Sequence, residues 1–362
     1  MLKKIAIFIP LGILMAAAVV VFAAGDAKDP LVSLSYLTGA FTNSVESRIE
    51  EVLDDSDAAL LESAESGEGI TTSATVWTET RLKQDDILLG TTGTNVLMLA
   101  GNGSVIYNSG AVVDVTEGTT VASGSALAAN HRYMVAEDTA AAFIVDSKTA
   151  VLDYMGEYVF SYSDATDYNA MASALKTLHL FKGSFTGYGQ GFDLEVAPTR
   201  LQALIMFIRV LGEEEEALAW TGTLPFTDIA KGTQAEKYVG YAYSKGYTNG
   251  YTPTQFRPSA AVNAYQYTEF VLRAMGYSSA ANTSLADTME RAQTAGVLTA
   301  YEAARLKVEK FLRADLVYIS YYALETYLPD GVMTLGDLLM EKGVFTGHEW
   351  ASARKMVNSP RI

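Results

Sequence analysis

Two arginines stand where they could hold an anion. Arg200 follows Thr199 at the head of an apolar stretch that runs to Leu211-Gly212, and Arg313 opens a similar stretch through Tyr321. A guanidinium meets a carboxylate with two parallel hydrogen bonds. The start of a helix adds free backbone N–H groups and the positive end of the helix dipole. The chemistry on offer is carboxylate recognition, with pairing to an internal acid as the structural alternative. Gly189, Gly191 and Gly250 would let backbone approach a ligand without a side chain in the way, or simply form turns. Tyr238, Tyr241 and Tyr251 could stack on a ligand face or fill the core.

Little else in the chain points to chemistry. It has no cysteine, which removes thiol nucleophiles, Cys-based zinc sites and iron–sulfur clusters. His131, His179 and His348 lie in different segments without ligand spacing. Gly187-Tyr188-Gly189-Gln190-Gly191 lacks the lysine that follows a phosphate-cradling loop. Asp54-Asp55-Ser56-Asp57 lacks the alternating ligands, the glycine and the closing glutamate of a calcium loop. Glu213 to Glu216 reads as an exposed, like-charged linker. Acids are plentiful, but no local context singles out a catalytic pair. The chain therefore reads as non-catalytic, with no metal and no cofactor.

The elements that carry the arginines recur. Thr199-Arg200-Leu201-Gln202 opens one helix and Asn263-Ala264-Tyr265-Gln266 another, aligning without a gap through Arg209 and Arg273 to Gly212 and Gly276. Leu312-Arg313-Ala314-Asp315 begins a third. Each follows a shorter apolar stripe and a glycine-rich loop. The unit of helix, loop and helix returns at a period of roughly 50 to 65 residues, which marks stacked modules unable to bury their apolar faces alone.

Upstream, Lys3 and Lys4 precede the apolar run Ile5 to Phe22, which ends on small residues. This is the pattern of a secretory signal over residues 1–24, cut after Ala23 or, second, after Gly25. An uncleaved membrane anchor is the rival reading. Residues 25–69 read as a linker and an amphipathic helix, with Phe41, Val45, Ile49, Val52 and Leu53 on one face. Residues 70–163 hold short β-type runs at Thr72–Leu82, Asn95–Leu99, Ser104–Tyr107, Ala111–Val115, His131–Ala136, Ala142–Val145 and Tyr158–Tyr162, separated by turn residues. Helical repeats follow at 164–214, 223–278 and 284–346, then a tail at 347–362. The expected fold class is α+β: an N-terminal helix, a small antiparallel β-rich domain, and C-terminal all-α repeats in a pseudo-threefold arrangement. The net charge of -16, two units more negative without Lys3 and Lys4, argues against nucleic acid and anionic lipid as partners.

The repeats resemble the S-layer homology (SLH) family of bacterial surface proteins. The second copy carries Phe226-Thr227-Asp228-Ile229, Tyr238 to Gly246, and Gly250-Tyr251-Thr252-Pro253-Thr254-Gln255-Phe256-Arg257-Pro258, similar to the family's F-x-D-V start, helix and G-x-x-D-G-x-F-x-P loop. The first keeps Gly187 to Asp193 and Pro198-Thr199-Arg200; the third keeps Arg313-Ala314-Asp315. The layout also looks like that of exported clostridial-type proteins. The resemblance implies a secreted protein at the cell wall or cell surface, tethered to an anionic, often pyruvylated, wall polysaccharide. It implies Arg200, Arg313, Asp228, Gly189, Gly191, Gly250 and Tyr251 as the binding residues. Self-association into a surface layer or filament is the alternative role. The second copy has Asn263-Ala264 where the family places Thr-Arg, so its groove lacks the expected cation, and Arg257 or Lys245 would have to compensate.

Overall fold

A computed structural model describes residues 72–185, 190–278 and 284–362. The signal segment, the linker and the helix expected over Phe41 to Leu53 lie outside the described residues, as does Gly189.

The β part differs from the small domain with an N-terminal helix expected from sequence. Ten strands form a single antiparallel sheet. They are β1 (Thr72–Lys83), β2 (Ile87–Thr91), β3 (Asn95–Ala100), β4 (Gly103–Tyr107), β5 (Ala111–Asp114), β6 (Thr119–Val121), β7 (Ser125–Leu127), β8 (Arg132–Ala136), β9 (Ala140–Val145) and β10 (Thr149–Ser161). The order is β6-β5-β8-β3-β10-β2-β9-β4-β7, with β1 also on β10. The two ends of this path are neighbours in sequence, because only Ala122 to Gly124 separates β6 from β7. Tyr107 on β4 donates its hydroxyl to the carbonyl of Val121 on β6 at 2.6 Å, tying one end toward the other. The sheet is thus a nearly closed barrel, an arrangement that protects sheet edges from stray pairing.

Strand β10 has to coil for this to happen. Lys83 pairs with Thr149 at its start and Ile87 with Ser161 at its end. A straight strand would separate those ends by about 40 Å, whereas the link from Lys83 to Ile87 spans at most about 14 Å. Gly156, at φ 118°, sits within the coil. Asp86 then stitches the ends, accepting from the N–H groups of Lys83 (3.0 Å) and Ser163 (2.8 Å) and from Lys83 Nζ (2.8 Å). Alternate residues fill the interior, among them Leu88, Val96, Met98, Val105, Val112, Phe143 and Leu152. Tyr133 and Val135 face the same way, while His131 on the loop before β8 pairs with Asp114 at 2.6 Å.

A second core belongs to the helices. These are α1 (Tyr168–Thr177), α2 (Arg200–Val210), α3 (Glu214–Ala219), α4 (Gln234–Ser244), α5 (Ala264–Ala274), α6 (Thr288–Thr294), α7 (Ala300–Val308), α8 (Arg313–Leu324), α9 (Leu335–Glu341) and α10 (Gly347–Met356), with a two-stranded ribbon of β11 (Ser184–Phe185) and β12 (Gln190–Gly191) after α1. Helices α2, α5 and α8 touch one another pairwise, and α4, α6 and α1 pack on them from outside. Every residue of α8 from Ala314 to Leu324 is buried, which suits a helix apolar on all sides. Capping boxes start α2 (Thr199 with Gln202) and α5 (Asn263 with Gln266). Lys148, in the turn between β9 and β10, reaches the helices through Asp315 (2.6 Å) and Glu309 (2.7 Å).

The run Glu213 to Glu216 is not an exposed linker. It enters α3, and while Glu215 and Glu216 are exposed, Glu213 and Glu214 accept hydrogen bonds from neighbouring side chains. Glu213 takes the hydroxyls of Tyr241 (3.0 Å) and Tyr247 (2.8 Å). Glu214 takes Lys182 Nζ (2.6 Å), Arg209 Nε (2.8 Å) and the hydroxyl of Tyr238 (2.6 Å). Burial alone would raise the Glu214 pKa, but the hydrogen bonds from Lys182, Tyr238 and Arg209 outweigh it and bring it down to about 2. A depressed carboxylate binds fewer protons folded than unfolded, so its contribution is complete above the ordinary value of 4.5 and disappears as pH falls toward 2. Thermal melts between pH 2 and 5 are expected to show a shallower loss of stability for Glu214→Gln than for the wild type. Parallel curves would contradict this assignment.

Candidate functional site

Arg200 is the first residue of α2, and its position is fixed by the loop that precedes α5. Its N–H donates to the carbonyl of Ala260 at 2.8 Å, and the N–H of Leu201 to Pro258 at 3.1 Å. The first two amides of the helix are therefore consumed, and any pull on an anion comes from the side chain. That side chain is 5 % exposed. Its guanidinium lies between the rings of Phe256 (4.9 Å) and Phe270 (5.4 Å), a contact that favours a cation. One Nη2–H reaches the carbonyl of Gly250 at 3.4 Å. The Nε–H has no hydrogen-bond partner, and no carboxylate pairs with Arg200 among the described residues. Burial, and then the charge of Arg273, lower its pKa to about 10, so it stays protonated at neutral pH.

Arg200 faces a cavity of about 520 Å³ lined by Tyr243, Gly250, Tyr251, Gln266, Glu269 and Arg273, among others. The one acid among the described lining residues is already saturated. Glu269, 2 % exposed, accepts from Arg273 Nε (2.9 Å), Arg291 Nη2 (2.7 Å), Ser278 Oγ (2.7 Å) and Thr288 Oγ1 (3.2 Å). Two cations thus surround one carboxylate, and Arg200 adds a third charge without a counter-ion. On a protein of net charge -16 this is a local reversal of sign, the requirement for holding an anion against a repelling surface.

The loop opposite Arg200 is built to come close. Gly250 has φ 81°, and a Cβ there would fall 2.4 Å from the ring of Phe226. Gly250→Ala is expected to cost about 1–3 kcal/mol from strain and overpacking and to distort the cavity rim. An unchanged unfolding midpoint in urea would contradict that. Asp228 shapes the same loop, its carboxylate accepting from the N–H groups of Phe256 (2.9 Å) and Arg257 (2.7 Å). Tyr251 stands at the rim, 53 % exposed, with the Arg257 guanidinium 3.8 Å above its ring. Arg257 is therefore turned to Tyr251, while Lys245 lies 5.4 Å from the ring of Tyr241.

Three of the residues singled out from sequence meet here: Arg200, Gly250 and Tyr251. Asp228 supports the loop without lining the cavity. Tyr238 and Tyr241 are buried and spend their hydroxyls on Glu214 and Glu213. Gly191 lies elsewhere, where an added Cβ would meet Arg81 Nη2 of β1 at 2.5 Å. Arg313 heads a separate, smaller cavity of about 200 Å³, with Asp193 Oδ2 3.9 Å from its Nη1. Ala264 is buried and brings no cation. Sequence reading missed Phe256 and Phe270 as the guanidinium's bed and Glu269 with Arg273 as the cavity wall. The last pair had a signal, an acid and an arginine four apart on one helix.

Residues 225–263 match the family model of the S-layer homology domain. The protein is an S-layer homology domain-containing protein. No curated protein matches the chain. The matched S-layer homology domain holds Asp228, α4 and the loop from Gly250 to Arg257, and so supplies one wall of the cavity. Arg200 comes from before it, and Glu269 and Arg273 from just after it. Such a domain is a non-catalytic anchoring module, and it indicates association with the cell surface through cell-wall polysaccharide.

Proposed function

We propose that the protein is a non-catalytic, exported surface protein held on an anionic wall polysaccharide in the cavity that Arg200 faces. The observation that carries this reading is the Arg200 guanidinium, buried, without a carboxylate partner among the described residues and with an unused Nε–H beside a 520 Å³ cavity. A buried cation with no counter-ion is costly in the empty protein, and a ligand carboxylate would relieve that cost. Arg273 would add charge, and Tyr251 would offer its exposed ring to a sugar face. Helical modules at 164–214, 223–278 and 284–346 form the anchoring half on this reading, with the leader at residues 1–24 providing export.

Co-sedimentation with the wall polysaccharide of the producing strain tests it. Binding is expected to the native polymer, to weaken as salt rises, and to vanish when the polymer's carboxylates are reduced to alcohols. Equal binding to native and reduced polymer would refute a carboxylate-reading site.

A further inference from the structure

The two helix-start arginines are seated by the same backbone latch on two loops whose side chains differ, most tellingly at the position after a shared phenylalanine. The N–H groups of Arg200 and Leu201 donate to the carbonyls of Ala260 and Pro258; those of Arg313 and Ala314 donate to Val196 and Leu194. In each case the acceptors are two residues apart and taken in the same reversed order. This aligns Pro258 with Leu194, Phe256 with Phe192, and therefore Arg257 with Asp193. Backbone conformation gives the same alignment independently. Arg257 (φ 61°) and Asp193 (φ 51°) both sit in the left-handed region that residues other than glycine seldom enter.

The side chains at this shared position behave oppositely. Arg257 is turned onto Tyr251 and brings no acid to Arg200. Asp193 is 6 % exposed and directs its carboxylate to Arg313. The remaining cations beside the smaller cavity, Lys182 and Arg209, are both met by Glu214. We infer that Asp193 occupies the anion's place in the second groove, so that the chain takes polysaccharide through the Arg200 groove alone. The residue at this loop position is then what decides whether a groove is open. A ligand carboxylate arriving at Arg313 would have to displace a tethered rival at high effective concentration.

This inference rests on the anchoring reading above, and the test separates the two. Oligosaccharides cut from the wall polysaccharide of the producing strain are titrated into the full chain by calorimetry, with melting curves to confirm folding. The wild type is expected to bind one equivalent and Asp193→Gly two, glycine being well suited to the left-handed backbone. Asp193→Asn keeps the side-chain volume and tolerates the same backbone, and it carries the test if the glycine variant melts early. Arg200→Ala is expected to bind none, and Asp193→Gly with Arg200→Ala to regain one equivalent through Arg313. A folded Asp193→Gly that still binds one equivalent, or a double variant that binds none, overturns the inference. If wild type and Arg200→Ala both bind nothing while the double variant binds one equivalent, the Arg200 reading fails and the role of Asp193 stands.

Discussion

Replacing Arg200 by methionine is expected to abolish polysaccharide binding while leaving the fold as stable as before, or more so. The two effects have different origins. Truncating one partner of a buried, hydrogen-bonded charge pair costs about 2–5 kcal/mol, a loss of roughly 30-fold to several thousand-fold in affinity. In the free protein the same guanidinium is desolvated between Phe256 and Phe270 with no acid among the described residues to offset it. A methionine of similar reach would keep the packing against both rings and remove the charge, an exchange that is often neutral or stabilising. Arg200→Lys should fall between, because an ammonium keeps the charge and loses the planar fork. Titration calorimetry beside thermal melts of the two variants checks both effects. A methionine variant that binds as the wild type does would sink the assignment. One that unfolds far more easily would make Arg200 a structural residue.

The largest stability effect is expected at the other end of the chain. Arg361 donates from Nε and Nη2 to the two oxygens of Glu302, at 2.7 and 2.9 Å, and stacks 4.4 Å from the ring of Tyr322. Glu302 has no exposed surface and also accepts from the hydroxyl of Tyr318 (2.6 Å) and the N–H of Thr299 (2.7 Å). Arg361→Ala would leave that carboxylate buried and uncompensated, at a cost of about 3–5 kcal/mol, or a fall in melting temperature on the order of 10 °C. Adding Glu302→Gln should recover part of the loss, since the neutral amide no longer needs a cation. Equal melting of wild type and Arg361→Ala would show that water reaches Glu302 and that the last residues are not a structural latch.

Local signals carried the helical half well. The aligned helix heads Thr199 to Gln202 and Asn263 to Gln266 are both capping boxes, a pattern written within four residues. The barrel was harder. Strand β10 is continuous from Thr149 to Ser161, yet only its last residues alternate in a way that reads as a strand, because its first residues, Thr149 to Leu152, are all buried whichever face they point to. Strands β6 and β7 are three residues each, too short for any periodicity. Closure depends on the coil of β10 around Gly156 and on Asp86 joining distant ends, and neither is a local property.

At the site, sequence named the cation and the turn but not the difference between the two arginines. Arg200 and Arg313 stand at the same place in their elements, each opening an apolar helix. What separates them is whether the latch loop carries Arg257 or Asp193 at the matching position, residues far off in the chain and brought close by the latch to Ala260 or Val196. Glu213 and Glu214 misled for a related reason. A run of acids reads as solvated until the tyrosines and arginines that fold onto it are in place.

A structure of the protein with an acidic oligosaccharide from the wall polymer would examine the site at first hand. A sugar carboxylate is expected within about 3 Å of Arg200 Nε, with the sugar ring against Tyr251 and Arg257 still resting on that tyrosine. A glycan bound elsewhere, with the 520 Å³ cavity filled by water alone, would show that this unpaired guanidinium serves some other purpose.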